Sequence, residues 1–560
     1  MTASQPAETI ATLGVVGAGT MGAGIAQLAA SRGDAVVLYD VGEDLLARAR
    51  EGIGARYARD VERGRQTREE ADAALGRIRA TTRLADVAGA QAVIEAAPED
   101  LALKREIFAE LDRLCPPETI LASNTSSLSI TSIAAACRHP ARVAGMHFFN
   151  PAPVLPLVEV ISGAATAEAT AEAVAALARR LGKTPVRALD TPGFIVNRVA
   201  RPFYGEALRI LDEGIAGPAE IDRIVRSAGF RMGPFELMDL IGVDVNFAVT
   251  RSIYEATFQE PRYRPSPLQA RLVAAERLGR KSGRGFYRYE DGRPVAEPSP
   301  DPLAEVAPLD RPANVLLAGQ GPAADDLALA LQDAGQQVTV YAGEVSAALE
   351  GAGIPRARRL RDVLLTTTVA IEATLGPHDL KRAYWYELDE TLPPHVPLLA
   401  LALGHSATEL GSWSAHPARV VGFGYVGRFA DAPLVELAPG ALTGVDTVQR
   451  AAAFLRGLGK EVAAVGDQPG QVLTRILSML VNEAAFAVEE GIATPADVDT
   501  AVRLGLNYPR GPLEWGDALG LDRVVAALDG LRAYYGEERY RVAPLLRRAL
   551  LAGQALGVRR

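Results

Sequence analysis

His147 stands in the phrase GMHFFNPAP (residues 145–153) and is one of six histidines in the chain. It closes an apolar, strand-like run, RVAGMHF, and Glu159 lies in the next such run, LPLVEVISG. The loop between them carries Pro151, Pro153 and Pro156, which lets two strand ends lie side by side. A carboxylate beside an imidazole fixes its tautomer and strengthens it as a base, fit to take the proton of an alcohol. A histidine in an apolar strand is by itself more often a packed core residue. The acid within reach and a cofactor motif upstream turn the reading toward catalysis.

That motif is GAGTMG, with Gly17, Gly19 and Gly22 in the spacing G-x-G-x-x-G. The first glycine permits a tight turn, the second lets backbone N–H groups approach a pyrophosphate, and the third lets a helix pack on its strand. The phosphates then sit at a helix N-terminus. The motif follows the apolar run 11–16, opens a helical pattern at 20–32, and is followed by Asp40 at the end of the next run. An acid about 20 residues after the glycines suits the adenosine ribose hydroxyls and repels a 2′-phosphate, so NAD is expected rather than NADP. Together, base and cofactor specify oxidation of a secondary alcohol by hydride transfer.

The elements that must position these groups are written twice. Residues 190–214, DTPGFIVNRVARPFYGEALRILDEG, return as DQPGQVLTRILSMLVNEAAFAVEEG at 467–491, an offset of 277. MGPFELMDLIG (232–242) is answered by RGPLEWGDALG (510–520), and LGVVGAG (13–19) by VLLAGQG (315–321). Each copy has alternating strands and helices first and helices afterwards. The expected architecture is an α/β Rossmann-type domain (1–190), an all-α domain (191–290), a Pro- and acid-rich linker (291–312), a degenerate Rossmann-like domain (313–466) and a second helical domain (467–560). Across the offset Ser126 becomes Leu403, His147 becomes Gly424 and Asn197 becomes Thr474, while Glu159 is kept as Glu436. Asp40 is answered by Ala342, and the third glycine is lost. Catalysis and tight NAD binding are therefore expected in the first copy alone.

Bulk properties exclude other classes. A chain of 560 residues exceeds one core. A net charge of −9 without a long basic run speaks against a nucleic-acid partner. Two cysteines, Cys115 and Cys137, leave no disulfide framework and no zinc-finger spacing, and no metal is expected. The opening MTASQPAETIATLG lacks the basic and apolar regions of a secretory signal, and no run of ~18 apolar residues suggests a membrane span. A cytoplasmic enzyme is expected.

GAGTMGAGIA, NTSSLSIT (124–131), GMHFFNPAPVLPLVEV and DTPGFIVNR (190–198) resemble the 3-hydroxyacyl-CoA dehydrogenase family in letters and spacing, over the whole first half. The resemblance implies an acyl-CoA substrate, His147 as general base and Glu159 as its partner. It implies that Ser126 bonds the substrate's 3-oxygen and that Asn197 helps to hold the thioester end. Glu99, Lys104 and Asn150 match positions around the nicotinamide half of the cofactor, and Lys281 in LGRKSGRGFY matches a lysine of the NAD site. Arg56 and Arg63 fall where relatives contact CoA. Phrases such as GVDVNFAVT, LGLNYPRGPLEWG and YYGEERYR resemble in particular the 3-hydroxyadipyl-CoA dehydrogenases of bacterial phenylacetate breakdown. A dicarboxylate substrate would want an arginine, and Arg198 or Arg201 beside Asn197 is a candidate; 3-hydroxybutyryl-CoA is the alternative. Single-copy members pair through their helical domains, so the fused copy is expected to complete an internal pseudo-dimer, with further association of chains left open.

Overall fold

The computed structural model describes residues 11–295, 302–375 and 378–557. The opening residues 1–10 and residues 296–301 of the expected linker lie outside the described residues. Contacts divide the chain into two compact units, residues 1–199 with 487–511 and residues 200–486 with 512–560.

The first unit is built on eight strands: β1 (Thr12–Val16), β2 (Ala35–Tyr39), β3 (Ile78–Thr81), β4 (Ala92–Glu95), β5 (Ile120–Ser123), β6 (Val143–Phe148), β7 (Leu157–Ser162) and β8 (Thr184–Leu189). Their order is β3-β2-β1-β4-β5-β6-β7-β8, and only the β6–β7 pairing is antiparallel. Helices α1 (Thr20–Ser31), α2 (Glu43–Glu62), α3 (Arg68–Gly76), α4 (Leu101–Leu114), α5 (Ile130–Ala134) and α6 (Glu168–Arg180) connect them. Strands covered on both faces must be apolar throughout, which is why they read as runs such as LGVV and AVVL rather than as alternations. Leu13, Val15, Ile25, Val36, Ile94, Val158 and Val174 meet in the core. Because β1 is flanked by β2 and β4, the order in which successive strands are added reverses beside it, and the carboxyl ends of β1 and β4 frame the crevice where such sheets bind ligands.

The second unit holds a seven-stranded sheet from Asn314–Ala318 to Glu461–Ala464, in the same order as the first but without a counterpart of β3 among the described residues. Its Val420–Gly424 and Leu434–Pro439 strands repeat the antiparallel β6–β7 pair. The first strands correspond at an offset of 302 (Thr12 to Asn314) and those from β4 onward at 277 (Ala92 to Val369). Between these strands the second copy is thus 25 residues shorter: where the first copy has α2, α3 and β3, it has the short helix Ala347–Gly351 and a single parallel bridge from Val340 to Arg356. Buried ion pairs survive at matching places: Lys104–Glu95 and Arg142–Asp112 in the first copy, Lys381–Glu372 and Arg419–Asp389 in the second.

Helices from both copies complete the second unit, many opening with proline at the first turn, as in Pro218–Ser227, Pro234–Ile241 and Pro512–Leu519. The fixed φ of proline is already helical, and its missing N–H has no partner there anyway. Within this unit Arg475 is fully buried and donates to Glu206 at 2.9 Å, Glu213 at 2.7 Å and the Tyr540 hydroxyl at 2.7 Å. The segment expected as a spacer is more than that. Leu303 is buried, and the Leu309 amide donates to Ala453 O at 2.9 Å on helix Val445–Gly457.

Candidate active site

The antiparallel register sets His147 of β6 directly opposite Glu159 of β7. His147 Nδ1 lies 2.7 Å from Glu159 Oε2. Both side chains are buried. The other carboxylate oxygen, Oε1, accepts the amides of Ile195 at 3.0 Å and Val196 at 2.9 Å. Two consecutive left-handed residues, Gly193 (φ 78°) and Phe194 (φ 48°), turn those amides toward one point. Successive N–H groups arranged this way form a concavity for negative charge. Glu159 is thereby immobilised, Nδ1 is committed to it as donor, and Nε2 is left as the basic nitrogen. The rings of Phe149 and Phe194 flank the imidazole at centroid distances of 4.5 and 6.0 Å. Sequence reading did not single out the two amides or the two rings; the glycine of DTPGFIVN was the one available signal.

The structure links Asn197, Ser126, Glu99 and Lys104 to this dyad through a chain of contacts. Asn197 follows the clamping amides directly, and its Nδ2 lies 3.5 Å from Ser126 O. Ser126 and Ser127 donate their amides to Glu99 Oε1 at 3.0 and 3.1 Å, and the Thr125 hydroxyl donates to the same oxygen at 2.6 Å. Partial burial raises the Glu99 carboxyl, but the Thr125 bond, Lys104 and the Ser127 and Ser126 bonds outweigh it and hold it below the usual range. Lys104 is 1% exposed and pairs with Glu95 at 2.5 Å and Glu99 at 3.5 Å. Its ammonium also donates to Ala97 O at 3.1 Å.

The dinucleotide residues show their reasons directly. A Cβ at Gly17 (φ 104°) would stand 2.6 Å from Ala96 O, and one at Gly22 would stand 1.8 Å from Gly17 O. A Cβ at Gly19 would meet nothing within 4 Å, so the open side of the turn lies there, at the N-terminus of α1. Asp40 Oδ2 accepts the Ala18 amide at 2.7 Å and Oδ1 the Gly42 amide at 3.2 Å, which fixes the carboxylate beside the turn. Close packing behind and open space in front fit a pyrophosphate. Lys281 belongs to the other compact unit, where it pairs with Asp244 at 2.6 Å.

Beside the turn, within the first unit, lies a cleft of about 600 Å³ lined by Arg56, Arg59, Arg63, Arg65, Asn150 and Pro153 among others. The α2 pattern explains it: Leu46, Ala49, Ile53 and Tyr57 recur at helical spacing and are buried, which leaves Arg56, Arg59 and the C-cap residue Arg63 along one flank of that stripe. Arg56 Nε donates to Gln27 Oε1 at 2.6 Å, while its Nη2 is buried with no partner in the structure. Such a cluster suits phosphate groups. Arg59 and Arg65 are additions to the expected pair.

A family described as "3-hydroxyacyl-CoA dehydrogenase, NAD binding domain" matches residues 12–191 and 309–468, and its companion, "3-hydroxyacyl-CoA dehydrogenase, C-terminal domain", matches 193–289 and 470–557. The chain belongs to the 3-hydroxyacyl-CoA dehydrogenase family. It is an NAD-dependent enzyme of that family in which each domain occurs twice. It is 41% identical to the 3-hydroxyadipyl-CoA dehydrogenase of Escherichia coli K12, over 97% of this chain and 98% of that one. The probable 3-hydroxybutyryl-CoA dehydrogenase of Bacillus subtilis is 47% identical over 50% of this chain and 96% of its own. Among solved structures, that of a 3-hydroxybutyryl-CoA dehydrogenase from E. coli K12 superposes with a TM-score of 0.75 at 38% identity, covering 97% of this chain and 99% of that one. Among the described residues no helix is long and apolar enough to cross a membrane, and no group of three or more His, Cys, Asp or Glu could hold a metal ion.

The second copy of the dehydrogenase shows how its site closed. A Cβ at Gly424, the counterpart of His147, would stand 2.1 Å from Gln471 Oε1. Gln471 replaces Phe194, keeps its left-handed backbone (φ 45°), and donates Nε2 to Ala402 O at 3.1 Å. The place of the imidazole is filled by this amide. Glu436 still accepts two amides, Val472 at 2.7 Å and Leu473 at 3.1 Å. Without the imidazole, burial pushes its carboxyl up to about 7 despite those bonds. Unfolded, the group ionises near 4.5, so between about 4.5 and 7 the folded state holds the extra proton and stability falls as pH rises. Glu436→Gln removes that loss. Its Tm relative to wild type is expected to be more favourable at pH 8.5 than at pH 5 by ~2 °C or more in thermal melts; equal differences at both pH values would show that Glu436 is ionised in the fold.

Proposed function

We propose that the first copy oxidises a (3S)-3-hydroxyacyl-CoA to the 3-oxoacyl-CoA, with 3-hydroxyadipyl-CoA as its preferred substrate in phenylacetate breakdown. The His147–Glu159 dyad, its Nδ1 held and its Nε2 left basic, carries this reading. Nε2 takes the proton of the 3-hydroxyl, and the fixed carboxylate of Glu159 stabilises the imidazolium that results. Ser126 orients the 3-oxygen and Asn197 the thioester carbonyl. Gly17, Gly19, Gly22 and Asp40 hold NAD, which when bound supplies the hydride acceptor, with Glu99, Lys104 and Asn150 toward its nicotinamide half. Arg56 and Arg63, with Arg59 and Arg65, receive the CoA phosphates. Cys115 and Cys137 are free thiols, suited to a reducing compartment, and we place the enzyme in the cytoplasm.

The dicarboxylate preference rests on similarity to the E. coli 3-hydroxyadipyl-CoA dehydrogenase along both copies. The arginines beside Asn197 do not add to it. Arg198 is buried and donates to Glu490 at 2.7 Å, and Arg201 donates to the Thr250 hydroxyl at 3.1 Å. A 3-hydroxybutyryl-CoA substrate is the second reading, favoured by the Bacillus relative of the first half. Initial rates of NADH formation decide between them: kcat/KM is expected to be at least ~10-fold higher for 3-hydroxyadipyl-CoA, one well-placed polar contact being worth that factor. Equal values would make the enzyme a general short-chain dehydrogenase.

Reciprocal contacts support an internal pseudo-dimer. Arg198 pairs with Glu490 at 2.7 Å and its counterpart Arg475 with Glu213 at 2.7 Å. The Leu189 amide donates to Ile492 O at 2.9 Å and the corresponding Gly466 amide to Ile215 O at 2.7 Å. Arg262 donates to Glu483 at 2.8 Å and Arg539 to Glu206 at 2.6 Å. Residue i of one copy meeting j of the other, and the reverse, is the pattern of a two-fold interface.

A further inference from the structure

The first compact unit includes a piece of the silent copy, residues 487–511, and within it the helix Pro495–Leu506. Thr494 caps this helix by accepting the Asp497 amide at 3.1 Å. Its segment is tied to the catalytic copy by the Leu189–Ile492 backbone bond and the Arg198–Glu490 pair. Gly505 lies inside the helix and is buried. Glycine there is costly relative to alanine, and the matching residue of the first copy is Ala228, so a packing reason is required. The reason is visible: a Cβ at Gly505 would stand 2.9 Å from Leu157 Cδ2 and 3.2 and 3.5 Å from the two Cγ atoms of Val196. Leu157 opens β7, two residues before Glu159, and the Val196 amide is one of the two that clamp Glu159 Oε1. The helix therefore rests on both elements that fix the carboxylate behind His147.

We propose that helix Pro495–Leu506 of the catalytically silent copy, through Gly505, positions the Glu159–His147 dyad of the active copy. Gly505 touches no reacting group; it acts by setting where Val196, and hence Glu159, stands. This rests on His147 being the base. It gives the second copy a duty in turnover that neither its lost histidine nor its shortened sheet suggests: it buttresses a site it does not itself possess.

The test uses the full-length enzyme as Gly505→Val, as Gly505→Val with Val196→Ala, and as His147→Ala, reading kcat, KM, NAD affinity, Tm and the pH profile of kcat/KM. Gly505→Val is expected to lower kcat by ~10-fold or more, a displacement well under 1 Å sufficing for such a loss. KM and NAD affinity should stay within about twofold, and the limb of the profile that belongs to the dyad should move. Trimming Val196 restores the space, and most of kcat should return. A folded Gly505→Val enzyme with wild-type kcat and pH profile, or a loss that Val196→Ala does not relieve, would overturn the proposal. If Gly505→Val does not fold, Gly505→Ala is read by the same criteria at ~3-fold, the smaller side chain making the smaller clash. Turnover surviving in His147→Ala would instead overturn the assignment of the base, leaving the role of Gly505 to be judged by the rescue.

Discussion

His147→Ala is expected to lower kcat for hydroxyacyl-CoA oxidation by ~10²–10⁴-fold, the usual contribution of a positioned base, with NAD binding unchanged. The separation of effects follows from the geometry. The imidazole is held by Glu159 on the β6–β7 pair, whereas the cofactor turn is built from Gly17, Gly22 and Asp40 after β1 and β2. Glu159→Gln should cost nearly as much, and the double variant little more than either single one, because base and carboxylate act as a unit. Stopped-flow or steady-state NADH formation, together with NAD titration by fluorescence, checks both statements. The variant also acquires a built-in comparison: without the imidazole, Glu159 keeps two amide donors and nothing else, which is the state of Glu436 in the second copy. A fully active His147→Ala enzyme would remove the centre of the mechanism.

The largest effect on stability is expected at Arg475, far along the chain from the catalytic phrase. Its guanidinium is fully buried and serves Glu206, Glu213 and Tyr540, and Glu206 is also held by Arg539 at 2.6 Å. Replacing it by leucine leaves Glu206 buried with fewer positive partners, a change that costs ~3–5 kcal/mol for a buried pair broken on one side. The dependence on pH has a definite sign. Burial alone would raise the Glu206 carboxyl, but Arg539, Arg475 and Arg209 outweigh it and bring it to about 2. A carboxyl lowered from 4.5 in the fold adds stability that is present above about 4.5 and lost as pH falls toward 2. Thermal melts should therefore show the deficit of Arg475→Leu largest near pH 7 and shrinking toward pH 3. A deficit independent of pH would mean that lost packing, not lost charge, is responsible.

His147 and Glu159 were legible because both sit in short apolar runs joined by a proline-rich loop, and antiparallel pairing across such a loop allows few registers. The glycine turn was legible because each glycine answers a separate local demand that no other residue meets. Arg59 and Arg65 do not stand out in an arginine-rich stretch, since arginine on an exposed helix or in the turn after it is ordinary; only the fold shows that they converge with Arg56 and Arg63 on one cleft. Gln471 escaped for a different reason. Its meaning depends on lying in the space left by Gly424, a residue 47 positions earlier, and no local pattern records that contact.

The sequence by itself determined the two-fold repeat, the order of sheet and helices in each copy, the glycine turn and the pairing of His147 with Glu159, because these depend on periodicity and on residues within one or two adjacent elements. The tertiary structure alone decided which carboxylate oxygen faces His147, that Lys104 is buried and paired with Glu95 and Glu99, and that Arg198 pairs with Glu490. It alone placed residues 487–511 of the second copy in the first compact unit. The first two outcomes depend on side-chain geometry between neighbouring elements, the last two on packing between segments 292 residues apart, as from Arg198 to Glu490; in each, the chemistry of the side chain allows many partners and the fold leaves few.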